Sequence, residues 1–202
     1  MFTKRQMVVF YLAATLTVAF AGAATWLELK PPGKPLEQPL DHLHALPDFA
    51  LMNEDRQRVT LEDLKGKVWL ADFVYTTCPG PCPIISAHMS RLQGMLPADP
   101  NARMVSFSTD PDNDTPEVLK AYAKRFGATD RWTFLTGPKT GIYDLIQHGF
   151  LLPIDAPAGA RIIHSTRIML VDKGGEVRGF YDGTTEDADG QIIADMRKLL
   201  EE

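Results

Sequence analysis

All the thiols of this chain lie in one run, Thr76-Thr77-Cys78-Pro79-Gly80-Pro81-Cys82-Pro83. Gathering every thiol at one place points to redox chemistry or to a soft metal. The run follows the apolar stretch 68–75 and precedes a helix-like segment, so both sulfurs are expected near a helix N-terminus. There the unpaired N–H groups and the helix dipole favour the thiolate. Thiolate is the form that attacks disulfides and the form that binds metal. Common disulfide oxidoreductases place two residues between their cysteines, whereas Pro79, Gly80 and Pro81 intervene here. A spacing of i and i+4 brings both side chains to one face if the loop is helical. Two convergent thiolates then form a soft bidentate clamp, which suits Cu(I), and an added imidazole also accommodates Cu(II).

The elements that must hold this pair follow from periodicity and punctuation. Residues 49–52 and 58–60 read as two short strands around a polar turn. Thr60-Leu61-Glu62-Asp63 starts one helical turn with a threonine cap, stopped by Gly66. Residues 68–75 form a continuous apolar strand suited to the centre of a sheet, interrupted by Asp72. Asp72 is expected to be hydrogen-bonded in the core, or else to tune the thiols. A helix over 84–96 and a strand over 104–108 come next. Thr115 caps a helix with Pro116 in its first turn, and Gly127 ends it. A strand at 132–135, a short helix at 143–147, strands at 166–172 and 177–181 around Lys173-Gly174-Gly175, and a helix at 191–200 complete the domain. Strands alternating with helices imply a parallel sheet layered by helices. The fold class is therefore α/β, a thioredoxin-like three-layer sandwich with an N-terminal β-hairpin and a closing antiparallel hairpin.

In that fold the chain returns beside the cysteine loop just before residue 166, where His164 stands. Ordinary thioredoxins need a cis-proline at this place; the chain has Ile163-His164-Ser165 instead, which favours the metal reading. Cys78, Cys82 and His164 are thus the candidate metal ligands, and Cys78 and Cys82 the candidate redox pair. The blander readings are weaker. A structural disulfide would close a tiny loop, worth roughly 2 kcal/mol in the chain-entropy picture. Structural zinc usually takes four protein ligands, and three are found. Ala71 and Tyr75 occupy the places where peroxiredoxins carry proline and threonine. His88 and His148 read as solvated or capping groups, His88 being the fallback ligand.

The N-terminus sets the compartment. Residues 7–26 carry no charge, and Lys4 and Arg5 precede them. A span of about 20 apolar residues crosses a bilayer, with the basic flank on the cytoplasmic side. Residues 1–6 are expected in the cytoplasm and 7–26 as a transmembrane anchor, with a cleaved signal peptide as the rival reading. Residues 27–45 read as a proline-rich tether and 46–202 as the exported domain. His42 and His44, in the tether, are expected to be solvated, with an accessory metal site as the alternative. Beyond residue 26 the chain carries 19 basic against 26 acidic residues, a balance of −7 that argues against a nucleic-acid partner.

Three stretches in order, 77–83 around the cysteines, Ser108-Thr109-Asp110-Pro111-Asp112-Asn113-Asp114-Thr115-Pro116-Glu117, and His164-Ser165-Thr166, resemble the Sco/SenC family. The resemblance spans roughly residues 46–200. It implies a single-pass protein of the cytoplasmic membrane, its domain on the extracytoplasmic side, that binds Cu(I) or Cu(II). Its implied work is assembly of the binuclear copper site of cytochrome c oxidase subunit II. The implied copper ligands are Cys78, Cys82 and His164; Asp110 and Asp114 read as a loop and helix cap, with shaping the site around the ligands as the alternative. Implied partners are subunit II or another copper-enzyme acceptor, other copper chaperones and thioredoxin-like reductants. Ile163 stands where family members often carry an acid, which leaves His164 without that acceptor to orient its ring. A thiol–disulfide reductase of the acceptor, or a redox or copper sensor, are the alternative functions.

Overall fold

The computed structural model describes residues 40–152 and 165–202. His164 and the apolar span 7–26 lie outside them; among the described residues no helix is long and apolar enough to cross a membrane.

The apolar run centred on Leu70 becomes β4, Val68–Val74, buried along its whole length. It pairs in parallel with β5, Ala102–Ser108, from Val68 opposite Ala102 to Val74 opposite Ser108. β5 pairs in parallel with β6, Trp132–Thr136. On the other side β4 pairs antiparallel with β7, Arg167–Val171, and β7 with β8, Glu176–Asp182. The expected N-terminal hairpin is β2, Ala50–Asn53, and β3, Arg58–Thr60, and it extends the sheet beyond β6. With a two-residue β1, His44–Ala45, at one edge, the sheet order is β1-β8-β7-β4-β5-β6-β2-β3.

Alternation along β4 divides the core. Leu70 and Val74 face three helices: α2, Cys82–Met95; α3, Pro116–Arg125; and α5, Asp189–Glu201. Trp69, Ala71 and Phe73 face the single turn α1, Leu61–Leu64, and α4, Lys139–Asp144, which runs on as a π-helix over Leu145–Gly149. Phe73 stacks on Phe107 and meets Phe150 edge-on, with centroids 5.6 and 5.1 Å away. The result is the expected three-layer α/β arrangement.

Parts of the structure differ from the sequence reading. β1, His44–Ala45, pairs with β8 inside the stretch expected as tether. Arg178 reaches back to donate to the carbonyls of Leu40 and Asp41 while pairing with Asp172, and no periodicity signals such a grip. The short helix begins at Lys139, four residues before the expected 143, because no side-chain cap marks its start.

Asp72 lies on the α2 face of β4, fully buried. It accepts a hydrogen bond from Ser106, whose Oγ in turn accepts Trp132 Nε1–H at 2.8 Å. Among the described residues its other oxygen, Oδ2, has no hydrogen-bond partner. Burial pushes this carboxyl up to about 7, the Ser106 bond opposing only in part. The native state then holds the proton more tightly than the unfolded chain, whose aspartates titrate near about 4. Stability therefore falls as pH rises from about 4 to about 7 and is level above that. Between about pH 5 and about pH 8 the parent should lose roughly 1–3 kcal/mol relative to Asp72→Asn. Urea unfolding of both proteins across that range checks it; parallel curves would contradict the assignment.

Candidate metal and redox centre

The cysteine loop leaves β4 at its C-terminal end. The N–H of Cys78 donates to the carbonyl of Tyr75 at 3.2 Å, which turns the chain immediately. Thr76 is held by Asp114: its N–H and hydroxyl donate to that carboxylate at 3.2 and 2.5 Å. Asp114 also accepts the hydroxyl of Ser108, the last residue of β5, at 2.6 Å. It is fully buried. Burial raises its pKa above the usual carboxylate range, and the Ser108 and Thr76 donors oppose the rise. The 110–116 segment is thus a loop and helix cap, as expected, with Val118 N–H donating to the Thr115 hydroxyl. Through Asp114 it also anchors the thiol loop, the role that the sequence reading placed second to turn formation and capping.

Both expected cysteines come together. Cys78 and Cys82 pack with Tyr75 in a small cluster apart from the two sheet cores. Both are free thiols and both are buried, at 7% and 3% exposure. Helix α2 begins at Cys82 itself, two residues earlier than expected, because Pro81 already has helical dihedrals and Pro83 fits the first turn. That start puts the two sulfurs in different environments. Burial pushes the Cys78 thiol up, but hydrogen bonds from Tyr75, from the side chain and backbone N–H of Cys82 and from Gly80 N–H outweigh it. The Gly80 bond spans 3.4 Å. Cys78 therefore sits below its ordinary value. Cys82 is pushed up to about 12 by burial, by donating its own proton to Cys78, and by the charges of Cys78 and Asp72. The expectation of two matching thiolates becomes two unequal sulfurs that share a hydrogen bond, Cys78 the easier and Cys82 the harder to ionise.

The other histidines are placed elsewhere. His88 is buried on α2, its Nδ1 bonded to the Gly183 carbonyl at 2.9 Å and its Nε2 to Asp189 at 2.6 Å. With both nitrogens engaged it is neither solvated nor a spare ligand. His148 is exposed beside Asp144, and its carbonyl accepts from His44 Nε2 at 2.8 Å. His42 pairs with Glu176, and the two come within 4.8 Å of Asp172. Asp172 already accepts from Gly174 N–H, Glu176 N–H and Arg178. This cluster is a charge-paired corner that fastens the N-terminal end to β8.

The return strand β7 runs antiparallel to β4, with Ala71 opposite Met169 and Trp69 opposite Val171. Its first residues therefore enter the sheet at the end where β4 releases the cysteine loop. Thr166 there accepts Gly183 N–H at 2.6 Å.

Known proteins share this design. A family model described as SCO1/SenC matches residues 37–201. The SCO1 protein homolog of Bacillus subtilis is 37% identical over 169 residues, covering 82% of this chain and 86% of that protein. A Stutzerimonas stutzeri protein named for copper binding is 31% identical over 140 residues, covering 67% and 68%. The solved structure of BsSco is 36% identical and superposes with a TM-score of 0.72 over 83% of this chain and 99% of that one. BsSco is described as having a disulfide switch and as a member of the Sco family of cytochrome c oxidase assembly proteins. With the thioredoxin-like frame, the cysteine corner and the match running almost the length of the described domain, the chain belongs to the SCO1/SenC family.

Proposed function

We propose that this protein is a copper-binding assembly factor that takes copper through Cys78 and Cys82 and passes it to the binuclear copper site of cytochrome c oxidase subunit II. The observation that carries the reading is the pair of free, buried sulfurs packed together where β4 gives way to α2. The donor set fits a soft cation. Cys78 sits below its ordinary thiol pKa, Cys82 can lose the proton it now shares, and two thiolate ligands are what Cu(I) prefers. His164, two residues before Thr166, is the third donor in this reading, and its imidazole extends the site to Cu(II). Residues 7–26 anchor the protein in the cytoplasmic membrane and leave the domain on the extracytoplasmic side, where the acceptor's copper site is assembled.

A second reading is favoured by the unequal thiols. The Cys78 thiolate attacks one sulfur of an acceptor disulfide, and the acceptor's other sulfur leaves as a thiolate. Cys82 then gives up its proton to that leaving group and attacks Cys78, releasing the reduced acceptor and closing the Cys78–Cys82 disulfide. The acceptor gains two electrons and the pair loses two. The low-pKa thiol attacks and the high-pKa thiol resolves, which suits the order of events. The two functions exclude one another at any instant, because a disulfide cannot hold copper.

Titration of the reduced full chain with Cu(I) should reach one equivalent, and Cys78→Ser and Cys82→Ser should each weaken binding by at least about a hundredfold. His164→Ala should keep Cu(I) binding while losing the thiolate-to-Cu(II) absorption; Cys78→Ser binding as tightly as the parent would sink the copper reading. The thiol inequality has its own check. Iodoacetamide at about pH 7.5 should modify Cys78 at least about tenfold faster than Cys82, read by peptide mass, because Cys78 sits below its ordinary pKa and Cys82 well above it. Equal rates would remove the basis for assigning attacking and resolving roles.

A further inference from the structure

His88 is a buried polar side chain on the cysteine helix that neither copper binding nor thiol exchange uses. Its Nδ1 faces the Gly183 carbonyl at 2.9 Å; a carbonyl only accepts, so Nδ1 carries a proton and donates. Asp189, itself paired with Arg91, faces the other ring nitrogen at 2.6 Å and fixes the plane of the imidazole. Gly183 is a junction of three elements. Its N–H donates to the Thr166 carbonyl at 2.6 Å, one rung beyond the Arg167–Asp182 register of β7 and β8. A Cβ at Gly183 would stand 2.7 Å from that carbonyl oxygen, 3.2 Å from Ile168 and 3.4 Å from Ile85. Ile85 and His88 are three residues apart, so one face of α2 meets Gly183 at two points. All of this lies at the end of the sheet where β4 releases the cysteine loop.

We propose that His88 is a positioning residue for the third copper donor: by holding the Gly183 carbonyl it fixes the Gly183–Thr166 rung, and with it the entry of β7, against the helix that begins at Cys82. The proposal rests on the reading of His164 as that donor. Two peptide units span at most about 7 Å, so a fixed Thr166 bounds where the chain brings His164. A rung at the end of a ladder opens readily unless something else holds it. Here the hold comes from the helix that carries a sulfur ligand, so the return strand and that sulfur share one reference. A histidine that only fastened the loop between β8 and α5 could do so through either of its bonds. One that positions Thr166 needs the bond to Gly183 in particular.

Two substitutions in the full chain separate the bonds. An asparagine amide reaches about as far as Nδ1 and a glutamine amide about as far as Nε2, so His88→Asn keeps a donor for Gly183 and His88→Gln keeps one for Asp189. Cu(II) affinity, read by competition with a chelator, should fall about tenfold in His88→Gln and stay within about threefold of the parent in His88→Asn. Gly183→Ala, whose Cβ must displace the Thr166 carbonyl, should copy His88→Gln. Cu(I) affinity, which the two sulfurs carry, should stay within about threefold in all three. In the copper-free protein the Gly183 amide should exchange with deuterium at least about tenfold faster in His88→Gln than in the parent or in His88→Asn. Added to His164→Ala, His88→Gln should cost no further Cu(II) affinity, because positioning acts only through that ligand. Parent-like Cu(II) binding or Gly183 exchange in His88→Gln, equal losses in His88→Asn and His88→Gln, or a full further loss on top of His164→Ala would each overturn the proposal and leave the copper reading standing. No thiolate-to-copper band in the parent would overturn the copper reading and the proposal together.

Discussion

The cysteine corner depends on one carboxylate. Asp114 is fully buried and takes the N–H and hydroxyl of Thr76 together with the hydroxyl of Ser108. Thr76 opens the cysteine loop and Ser108 closes β5, so a single side chain fastens the ends of two adjacent parallel strands. A loop leaving a sheet carries unpaired backbone groups, and burying them without partners costs free energy. Here one carboxyl group supplies the acceptors, and its helix-capping neighbour Thr115 ties the same segment to α3. The Cys78 turn then forms on a fixed base. That matters because two sulfurs must stay within reach of each other while neither is bonded to anything permanent.

The unequal thiols follow from where α2 begins. Had the helix started two residues later, as the proline-rich spacing suggests, both cysteines would lie in a loop with similar access to its N–H groups. Starting at Cys82 puts that side chain in the first turn, where burial and the charges of Cys78 and Asp72 oppose ionisation. Cys78 remains in the loop and gathers the donors. One residue's place in a helix therefore converts a symmetric pair into a donor and an acceptor of the same proton.

How much of this was legible in the sequence depended on whether the signal was local. The central strand is a long apolar run, Thr60 and Thr115 are capping residues with the right successors, and the only two cysteines are four apart; all were readable. The odd polar residue in a strand, Asp72, was visible as an anomaly, but its Ser106 and Trp132 partners come from two other strands. Asp114 read first as a turn and cap residue and only second as a shaper of the site, because its partner Thr76 is 38 residues away in sequence. β1 could not be read at all: two residues, His44 and Ala45, carry no periodicity, and they join the sheet because Arg178 on β8 grips the chain ahead of them. His88 looked like a surface helix residue until Gly183 and Asp189 closed over it.

These buried acids also bear on what the centre can hold. Asp72 and Asp114 both have carboxyls raised by burial, and Cys82 is raised in part by Asp72 and by Cys78. A second thiolate at this corner adds negative charge to a region that already resists it, since the low dielectric that strengthens attraction strengthens repulsion equally. Three events can relieve that resistance: a proton on Cys82, a bond between the two sulfurs, or a cation between them. The first is the resting dithiol, the second the oxidised pair, the third a metal-loaded centre. Because each satisfies the same electrostatic demand, each displaces the others. A site built this way need not choose between metal transfer and thiol exchange, since the surroundings of Cys82 make them alternative answers to one charge.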